Sequence, residues 1–239
     1  MIIMNGKYLF HVHTYRCHHA EHIPDEAYIK RAVGLGAGSI WFSDHAPFPG
    51  DPFGNRMAYA QLSEYLYTLN FLKQQYKNQI DVHIGLEIEY IPSFDHTGYY
   101  RKLKAIPGLE FLLLGQHMAE LRPSPALYTF NMTKEWLKPN EFKVLGQAEM
   151  DGIRTGYFDY IAHPDRIFRR CKTWTPEMQS LAEQIVKAAV AMDIPLEQNE
   201  SSKHQKHHYW PEFWKCAENY PKIIHGLDAH AVKELKLIV

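Results

Sequence analysis

The sequence has few cysteines and no motif that pairs them. Cys17, Cys171 and Cys216 lie far apart, and no CxxC pattern occurs. An odd number of scattered cysteines is typical of free thiols in a reducing compartment, so we expect a cytoplasmic protein. No apolar run approaches the ~18 residues that a membrane span needs, and the N-terminus has no signal-peptide pattern. We therefore expect no association with a membrane.

The chain also lacks an excess of either charge. It carries 26 Lys and Arg against 27 Asp and Glu, a formal net charge of −1 at pH 7. A nucleic-acid partner is not expected, because such proteins usually carry a basic patch or a high pI. The GxSxG, P-loop and GxGxxG patterns are absent. The sequence therefore offers no sign of a serine-hydrolase nucleophile, a nucleoside-triphosphate site or a dinucleotide site. Without a Gly/Ser linker or low-complexity tract, residues 1–239 are predicted to form one domain.

What the sequence does have is a repeated pairing of apolar runs with polar ends. Seven short apolar runs each end in a histidine, an acid or an asparagine, and successive ends lie about 30–46 residues apart. The runs are 7–13, 39–45, 82–87, 111–117, 160–163, 195–199 and 222–230. The intervening segments with helical character are 24–35, 57–77, 133–153 (interrupted near Pro139), 175–192 and 211–218.

Strands that alternate with helices predict an α/β fold with parallel strands, and the chain length suits one α/β barrel. In such folds the C-terminal ends of all strands lie on one face. The polar run ends are therefore expected to meet in one pocket although they are distant in sequence. Histidine, glutamate and aspartate that converge in a pocket indicate a metal site. The pattern favours a metal-dependent hydrolase.

Two of the runs place ligands two residues apart. His11 and His13 should point the same way, because side chains alternate along a strand. Asp228 and His230 repeat this spacing at the last run. In the second run Asp44 and His45 are adjacent and should point oppositely. His45 is the predicted ligand there, and Asp44 the predicted acceptor that orients an imidazole.

The remaining candidates come from single strand ends and one loop. Glu87 is costly to bury unless it binds a cation, and it can bridge two of them. Glu89 is expected at the rim or in solvent. His117 and His163 are predicted ligands as members of the series. In the loop after the first run, either His18 or His19 could reach a second ion.

Two carboxylates and about seven imidazoles exceed the needs of one ion, so two or three divalent cations are predicted. Clustered divalent cations suit phosphate chemistry, because they neutralise the anion and activate water. Arg166, three residues after His163, is the predicted bidentate ligand of the phosphate oxygens. Its neighbours Arg169 and Arg170 are expected at the surface.

Taken together, these motifs resemble the polymerase-and-histidinol-phosphatase (PHP) family. Segments 13–20 and 44–57 resemble its histidinol-phosphate phosphatase branch, and the similarity extends over nearly the whole chain. The resemblance implies a distorted (β/α)7 TIM-like barrel with up to three ions of zinc, manganese or iron. The implied first ion is bound by His11, His13, Glu87 and Asp228. The implied second ion is bound by Glu87 (bridging), His117 and His163. The implied third ion is bound by His19, His45 and His230, where His19 fits the family spacing better than His18.

The resemblance also implies the reaction, hydrolysis of L-histidinol phosphate to L-histidinol and phosphate in histidine biosynthesis. A hydroxide between the first two ions would attack phosphorus, with Glu87 bridging those ions and Asp228 accepting the proton. Arg166 would stabilise the phosphate charge. Arg56, from a long loop, and Lys203, where relatives often carry an arginine, are further candidates for substrate binding.

Two other substrates stay open for a phosphoesterase of this family. The enzyme could act on another small phosphomonoester or, as a nuclease, on nucleic-acid ends, although the neutral charge argues against the latter. Leu227 stands where relatives more often have a serine, which bears on the substrate. A non-catalytic metal-binding regulatory domain is the third hypothesis. It is disfavoured because no ligand of the pattern is missing.

Overall fold

Seven parallel strands build the main sheet of the protein. The computed structural model describes residues 6–237, without the side chain of Lys138. The strands in sheet order are β1 (Tyr8–Val12), β2 (Ser39–His45), β3 (Asp81–Ile88), β4 (Phe111–Leu114), β7 (Tyr160–Ile161), β8 (Leu196–Asn199) and β9 (Ile223–Gly226). The pairings β1–β2, β2–β3, β4–β7 and β7–β8 are all parallel. Each predicted run thus contains a strand, and His117 lies three residues beyond the end of β4.

The segment after β9 continues as the second neighbour of β1. Leu227 N donates to Phe10 O (2.8 Å) and Ala229 N to His11 O (3.0 Å), and Val12 forms a parallel bridge with Ala229. The first strand therefore pairs on both of its edges, as strands of a closed barrel do. The predicted α/β fold, a TIM-like barrel of seven strands, is confirmed.

Five helices overlap the predicted segments. They are α1 (Asp25–Gly34), α2 (Leu62–Tyr76), α5 (Lys134–Thr155), α6 (Pro176–Met192) and α8 (Pro211–Cys216). Three shorter helices were not predicted, α3 (Pro92–His96), α4 (Tyr99–Lys104) and α7 (Glu200–Lys203). The predicted interruption near Pro139 is wrong, because α5 runs through it without a break. Pro139 is solvent-exposed and close to the N-terminus of α5, where a missing backbone N–H leaves a carbonyl that water can reach.

An antiparallel hairpin that the sequence reasoning did not predict lies between β4 and α5. Its strands are β5 (Glu120–Pro123) and β6 (Ala126–Tyr128), paired from Glu120 with Tyr128 to Pro123 with Ala126.

The chain divides into two compact units. The first unit comprises Met1–Glu87, Ala105–Leu112 and His225–Val239, and the second unit comprises Ile88–Lys104 and Leu113–Ile224. In the first unit the rings of Phe10, Trp41 and Phe111 pack in edge and tilted contacts with centroids 5.3–6.0 Å apart. The prediction that residues 1–239 form one domain stays a prediction. Among residues 6–237, no helix is both long and apolar enough to cross a membrane.

Candidate metal centre

His11 and His13 converge as the two-residue spacing predicts, but on irregular backbone. The pairing of β1 with β2 shifts register between Leu9 and Val12, and His11 has a φ of 67°. Both imidazoles are completely buried, with ring centroids 5.0 Å apart. The two rings are therefore neighbours, as predicted, although the backbone between them departs from a regular strand.

Two carboxylates of the first unit face these imidazoles. Glu87 Oε2 lies 3.3 Å from His11 Nε2, and Asp228 Oδ1 lies 3.1 Å from His13 Nε2. Glu87 is 1% exposed and Asp228 is 7% exposed. The four residues predicted to bind the first ion are therefore together and shielded from water.

Three further histidines gather beside this group. His45 Nδ1 is 3.2 Å from Glu87 Oε2, and the His19 ring lies 4.6 Å from that of His230 and 5.2 Å from that of His45. His19, His45 and His230 have potential ligand atoms that all lie within 4.8 Å of one another. His19, rather than His18, contributes to this set. His19 Nδ1 donates a hydrogen bond to the carbonyl oxygen of Cys17 (2.8 Å), so Nε2 of His19 is left to bind a metal.

The electrostatics of the cluster favour a positive charge close to His13. Burial opposes protonation of His13, but contacts with Asp228 and Asp44 outweigh it and raise its pKa to about 9. At His230, burial and the neighbouring His13 lower the pKa to about 3. The buried anions thus stabilise one cation in their midst, as a metal site requires.

The structure also tests whether these groups suit a metal ion. Nε2 of His230 and both ring nitrogens of His13 are buried and form no hydrogen bond to any residue within 6–237. The sets His11, His13, Asp228 and His13, His45, Glu87 each bring their potential ligand atoms within 4.8 Å. Imidazole and carboxylate donors suit zinc, manganese and iron. The residues present therefore fit a divalent cation.

Asp44 is fully buried, but its main partners are not imidazoles. It accepts hydrogen bonds from the Thr14 hydroxyl and from His45 N (2.9 Å), while its Oδ1 lies 3.7 Å from His13 Nδ1. Thr14 Oγ1 in turn accepts from Arg16 Nη1 at 3.1 Å. Asp44 thus influences His13 through its charge, since 3.7 Å is too long for a hydrogen bond.

The second unit brings His117 and His163 together, with ring centroids 5.0 Å apart. Glu89 Oε1 lies 3.1 Å from His117 Nδ1, and Glu89 is 1% exposed. The expectation that Glu89 lies at the rim or in solvent is therefore wrong. Glu89 lies two residues after Glu87, and side chains two apart along a strand point to the same face. The sequence therefore already indicated that Glu89 points to the same side as Glu87. The predicted second-ion set of Glu87, His117 and His163 draws on both units and stays a prediction.

Arg166 is held in place by one side chain at the end of β8 and one in α7. Its Nη2 donates to Asn199 Oδ1 (3.0 Å) and Ser202 Oγ (2.8 Å), and its Nε donates to Ser202 Oγ (3.1 Å). Glu197, fully buried, accepts from Asn199 Nδ2 at 3.2 Å and from His163 N at 3.1 Å. The sequence analysis gave Glu197 no role. It lies two residues before Asn199 on the same strand, however, so the two side chains were expected to share a face.

The turn that carries Arg166 is anchored by Asp165. This buried carboxylate accepts from Trp210 N (2.8 Å) and Trp214 Nε1 (3.0 Å). Burial raises the pKa of Asp165 to about 7 against the lowering effect of these hydrogen bonds. Because both tryptophans lie more than 40 residues away in the sequence, no local pattern pointed to this anchor.

The expectation that Arg169 lies at the surface is also wrong. Its Nη2 donates to the backbone oxygen of His117 (2.9 Å) and to Glu141 Oε1 (3.0 Å). The buried carboxylate of Glu141 draws this arginine inward. Arg170, 39% exposed along its side chain, also pairs with Glu141 and lies at the surface as expected.

The two other predicted substrate-binding residues both have local partners. Arg56 is 9% exposed, donates to Ala46 O (3.1 Å), and lies 5.4 Å from the ring centroid of Phe48. Lys203 is exposed, and its Nζ lies 2.5 Å from Glu200 Oε1. Their roles in substrate binding stay predictions.

Comparison with known proteins gives a consistent picture. The PHP domain family matches residues 10–201 of this chain. The histidinol-phosphatase of Bacillus subtilis (strain 168) is 35% identical over 91 residues, which cover 36% of this chain and 34% of that protein. A Deinococcus radiodurans protein named "Probable histidinol-phosphatase" is 27% identical over 172 residues, covering 68% of this chain and 62% of that protein. The matches thus span less than two thirds of either relative.

Solved structures resemble this chain over nearly its whole length. A Listeria monocytogenes protein assigned as a histidinol phosphatase superposes with a TM-score of 0.77 at 16% identity, covering 96% of this chain and 97% of that one. A histidinol phosphate phosphatase from Lactococcus lactis, in complex with zinc, L-histidinol and phosphate, gives 0.72 at 20% identity, with 95% and 87% coverage. At these identities the likeness establishes the fold.

Proposed function

Since this chain belongs to the PHP domain family, matched over residues 10–201, we propose that it is a metal-dependent phosphatase that converts L-histidinol phosphate to L-histidinol and phosphate. The observation that carries the proposal is the buried cluster of His11, His13, Glu87 and Asp228, with His45 against Glu87. The names of the two curated relatives support the choice of substrate.

The proposed ligands are the nine residues that the sequence patterns indicate. They are His11, His13, His19, His45, Glu87, His117, His163, Asp228 and His230, for two or three ions of zinc, manganese or iron. Zinc is supported by the Lactococcus lactis structure, which contains it. Bound divalent cations would neutralise the phosphate dianion and lower the pKa of water at the site.

The protein's own residues have distinct tasks in this proposal. Arg166 binds the non-bridging phosphate oxygens with a guanidinium that Asn199 and Ser202 already hold in position. A preorganised donor of this kind loses little entropy on binding and stabilises charge that develops in the transition state. Asp228, 3.1 Å from His13, accepts the proton of the attacking water. Glu87 would be the ligand shared between cations, and Arg56 and Lys203 would be further substrate contacts.

We also propose that the protein works in the cytoplasm. Cys17, Cys171 and Cys216 are all free, and Cys17 is buried, as is typical of a reducing compartment.

The decisive experiment is a comparison of kcat/KM for phosphate release by metal-loaded protein. The substrates are L-histidinol phosphate, p-nitrophenyl phosphate and a short single-stranded DNA. A value above about 10⁴ M⁻¹s⁻¹ for L-histidinol phosphate alone would support the proposal, since that lies in the ordinary enzyme range. Equal and weak rates on all three would reject the proposed substrate, and selective cleavage of the DNA would favour a nuclease.

A further inference from the structure

Glu89 has a buried carboxylate to which the proposed reaction assigns no role. It follows directly after β3, is 1% exposed, and has its Oε1 3.1 Å from Nδ1 of His117. A carboxylate is costly to bury unless a hydrogen-bond donor or a cation compensates it. The His117 imidazole supplies such a donor.

The chemistry of the two groups fixes the direction of this hydrogen bond. An ionised carboxylate only accepts, so Nδ1 of His117 donates. A neutral imidazole has one N–H, and its Nε2 then carries the lone pair that a metal needs. We propose that Glu89 is a positioning residue for His117, which it holds in the Nδ1-protonated tautomer with Nε2 as the ligating atom. The inference rests on the proposed function, in which His117 is a metal ligand.

Hydrogen bonds link the backbone segments that carry the two residues. The side chain of Gln116, next to His117, accepts from Tyr90 N (3.0 Å) and donates to Tyr90 O (3.2 Å). These two bonds connect the residue that follows Glu89 to the residue that precedes His117. The Tyr100 hydroxyl donates to the backbone oxygen of Glu89 at 2.8 Å. The two side chains are thereby held next to each other, with Glu89 buried and the His117 side chain 28% exposed.

The first unit contains a comparable pair that serves as an internal control. Glu110 Oε2 lies 3.0 Å from His83 Nδ1, and Lys73 Nζ lies 2.5 Å from Glu110 Oε1. Neither His83 nor Glu110 is a proposed ligand. A Glu110→Gln substitution removes a carboxylate from an imidazole with the same chemistry but leaves the proposed ligands untouched.

The test has two readouts, neither of which is enzyme activity. The first is the tautomer of His117 in the full-length protein after removal of metal. It is read by NMR from labelled imidazole nitrogens and assigned by comparison with a His117→Gln spectrum. We expect the proton on Nδ1 in the wild type. In Glu89→Gln both tautomers should be populated, because an amide can donate as well as accept.

The second readout is zinc affinity, measured in competition with a chelator. Glu89→Gln should weaken one zinc site about 10–100-fold, the usual effect of losing such a partner, and Glu110→Gln should not.

Two outcomes would overturn the inference. One is a wild-type His117 with its proton on Nε2. The other is a Glu89→Gln protein that binds zinc as tightly as the wild type and Glu110→Gln do. The wild-type tautomer needs only the His117→Gln spectrum for its assignment, so the inference stays testable if Glu89→Gln does not fold. Failure of the proposed function would look different. The tautomer and the affinity loss would be as expected, but no phosphomonoester would be hydrolysed.

Discussion

The side chains around Glu87 and those around Arg166 have different proposed roles. The first group would bind metal, and Arg166 would bind the phosphate. Glu87 contacts both His11 and His45 through Oε2, at 3.3 and 3.2 Å, whereas Arg166 donates hydrogen bonds to Asn199 and Ser202. Substitution of the first should change metal content. Substitution of the second should change substrate binding with the metals retained.

Glu87→Gln is expected to abolish turnover and to lower metal content. The amide keeps the shape of the side chain but loses the charge that the buried cations need, so the loss of metal affinity should exceed about 100-fold. Metal content by elemental analysis and kcat on the same preparation would check this. Glu110→Gln is the control for loss of a carboxylate. A fully active, fully loaded Glu87→Gln protein would contradict the bridging role.

Arg166→Ala is expected to raise KM for the phosphate substrate about 10–100-fold, since hydrogen bonds to a charged group are worth about 1.5–3 kcal/mol. The metal content should not change. Arg170→Ala removes an exposed arginine four residues away and should leave KM unaltered. An unchanged KM in Arg166→Ala would instead assign the phosphate to Arg56 or Lys203.

Much of the residue-level arrangement was predictable, and the failures have physical reasons. His11 with His13, and Asp228 with His230, followed from strand periodicity alone. Glu89 had the same periodic signal relative to Glu87, but it was outweighed by the general rule that acids are exposed. Asp165 and Arg169 could not be placed, because their partners are distant in the sequence and depend on tertiary packing.

At the level of secondary-structure elements, the strand ends depart from regular geometry where they carry proposed ligands. His11, His163 and Asp228 have φ values of 67°, 29° and 53°. Residues other than glycine adopt such angles rarely, at a cost of about 1–3 kcal/mol each. The periodicity of the runs predicted which side chains share a face. It contained no information on this backbone strain, which the surrounding hydrogen bonds impose.

Gly85→Ala should destabilise the protein by about 1–3 kcal/mol, the usual range for overpacking a core. Gly85 lies within β3, and a Cβ there would overlap the ring of Phe111, which packs against Phe10 and Trp41. Thermal unfolding followed by circular dichroism would measure the change. Gly34→Ala, where a Cβ meets open space, is the matched control and should not lower Tm. Equal melting temperatures for the two variants would contradict this packing.

At the level of the whole molecule, metal binding and stability should be coupled. The first unit buries Glu87, Asp228 and several imidazoles in one cluster, and bound cations would compensate their charges. Removal of metal with a chelator should therefore lower Tm, and zinc should restore it. A free zinc concentration of about 100 Kd should contribute about 2.7 kcal/mol. Differential scanning calorimetry would measure this, with Glu87→Gln as a variant that should respond less. A Tm that is the same with and without metal would contradict the coupling.

The global fold was also predictable in part. The order and spacing of the seven runs indicated the parallel sheet, because each run contains a strand with a polar end. The hairpin of β5 and β6 was missed, since its strands of four and three residues are too short to show a periodic pattern.

The pairing of β1 with the segment around Ala229 has a consequence for biosynthesis. Asp228 and His230 are translated about 215 residues after His11 and His13. Until then the two histidines can have Glu87 beside them but not Asp228, and β1 has an open edge where Ala229 will pair. A nascent chain can therefore fold its early strands without a complete cation-binding site. The proposed ligands of the first ion are complete only once Asp228 has been translated, so a product truncated before it should bind metal more weakly than the full chain.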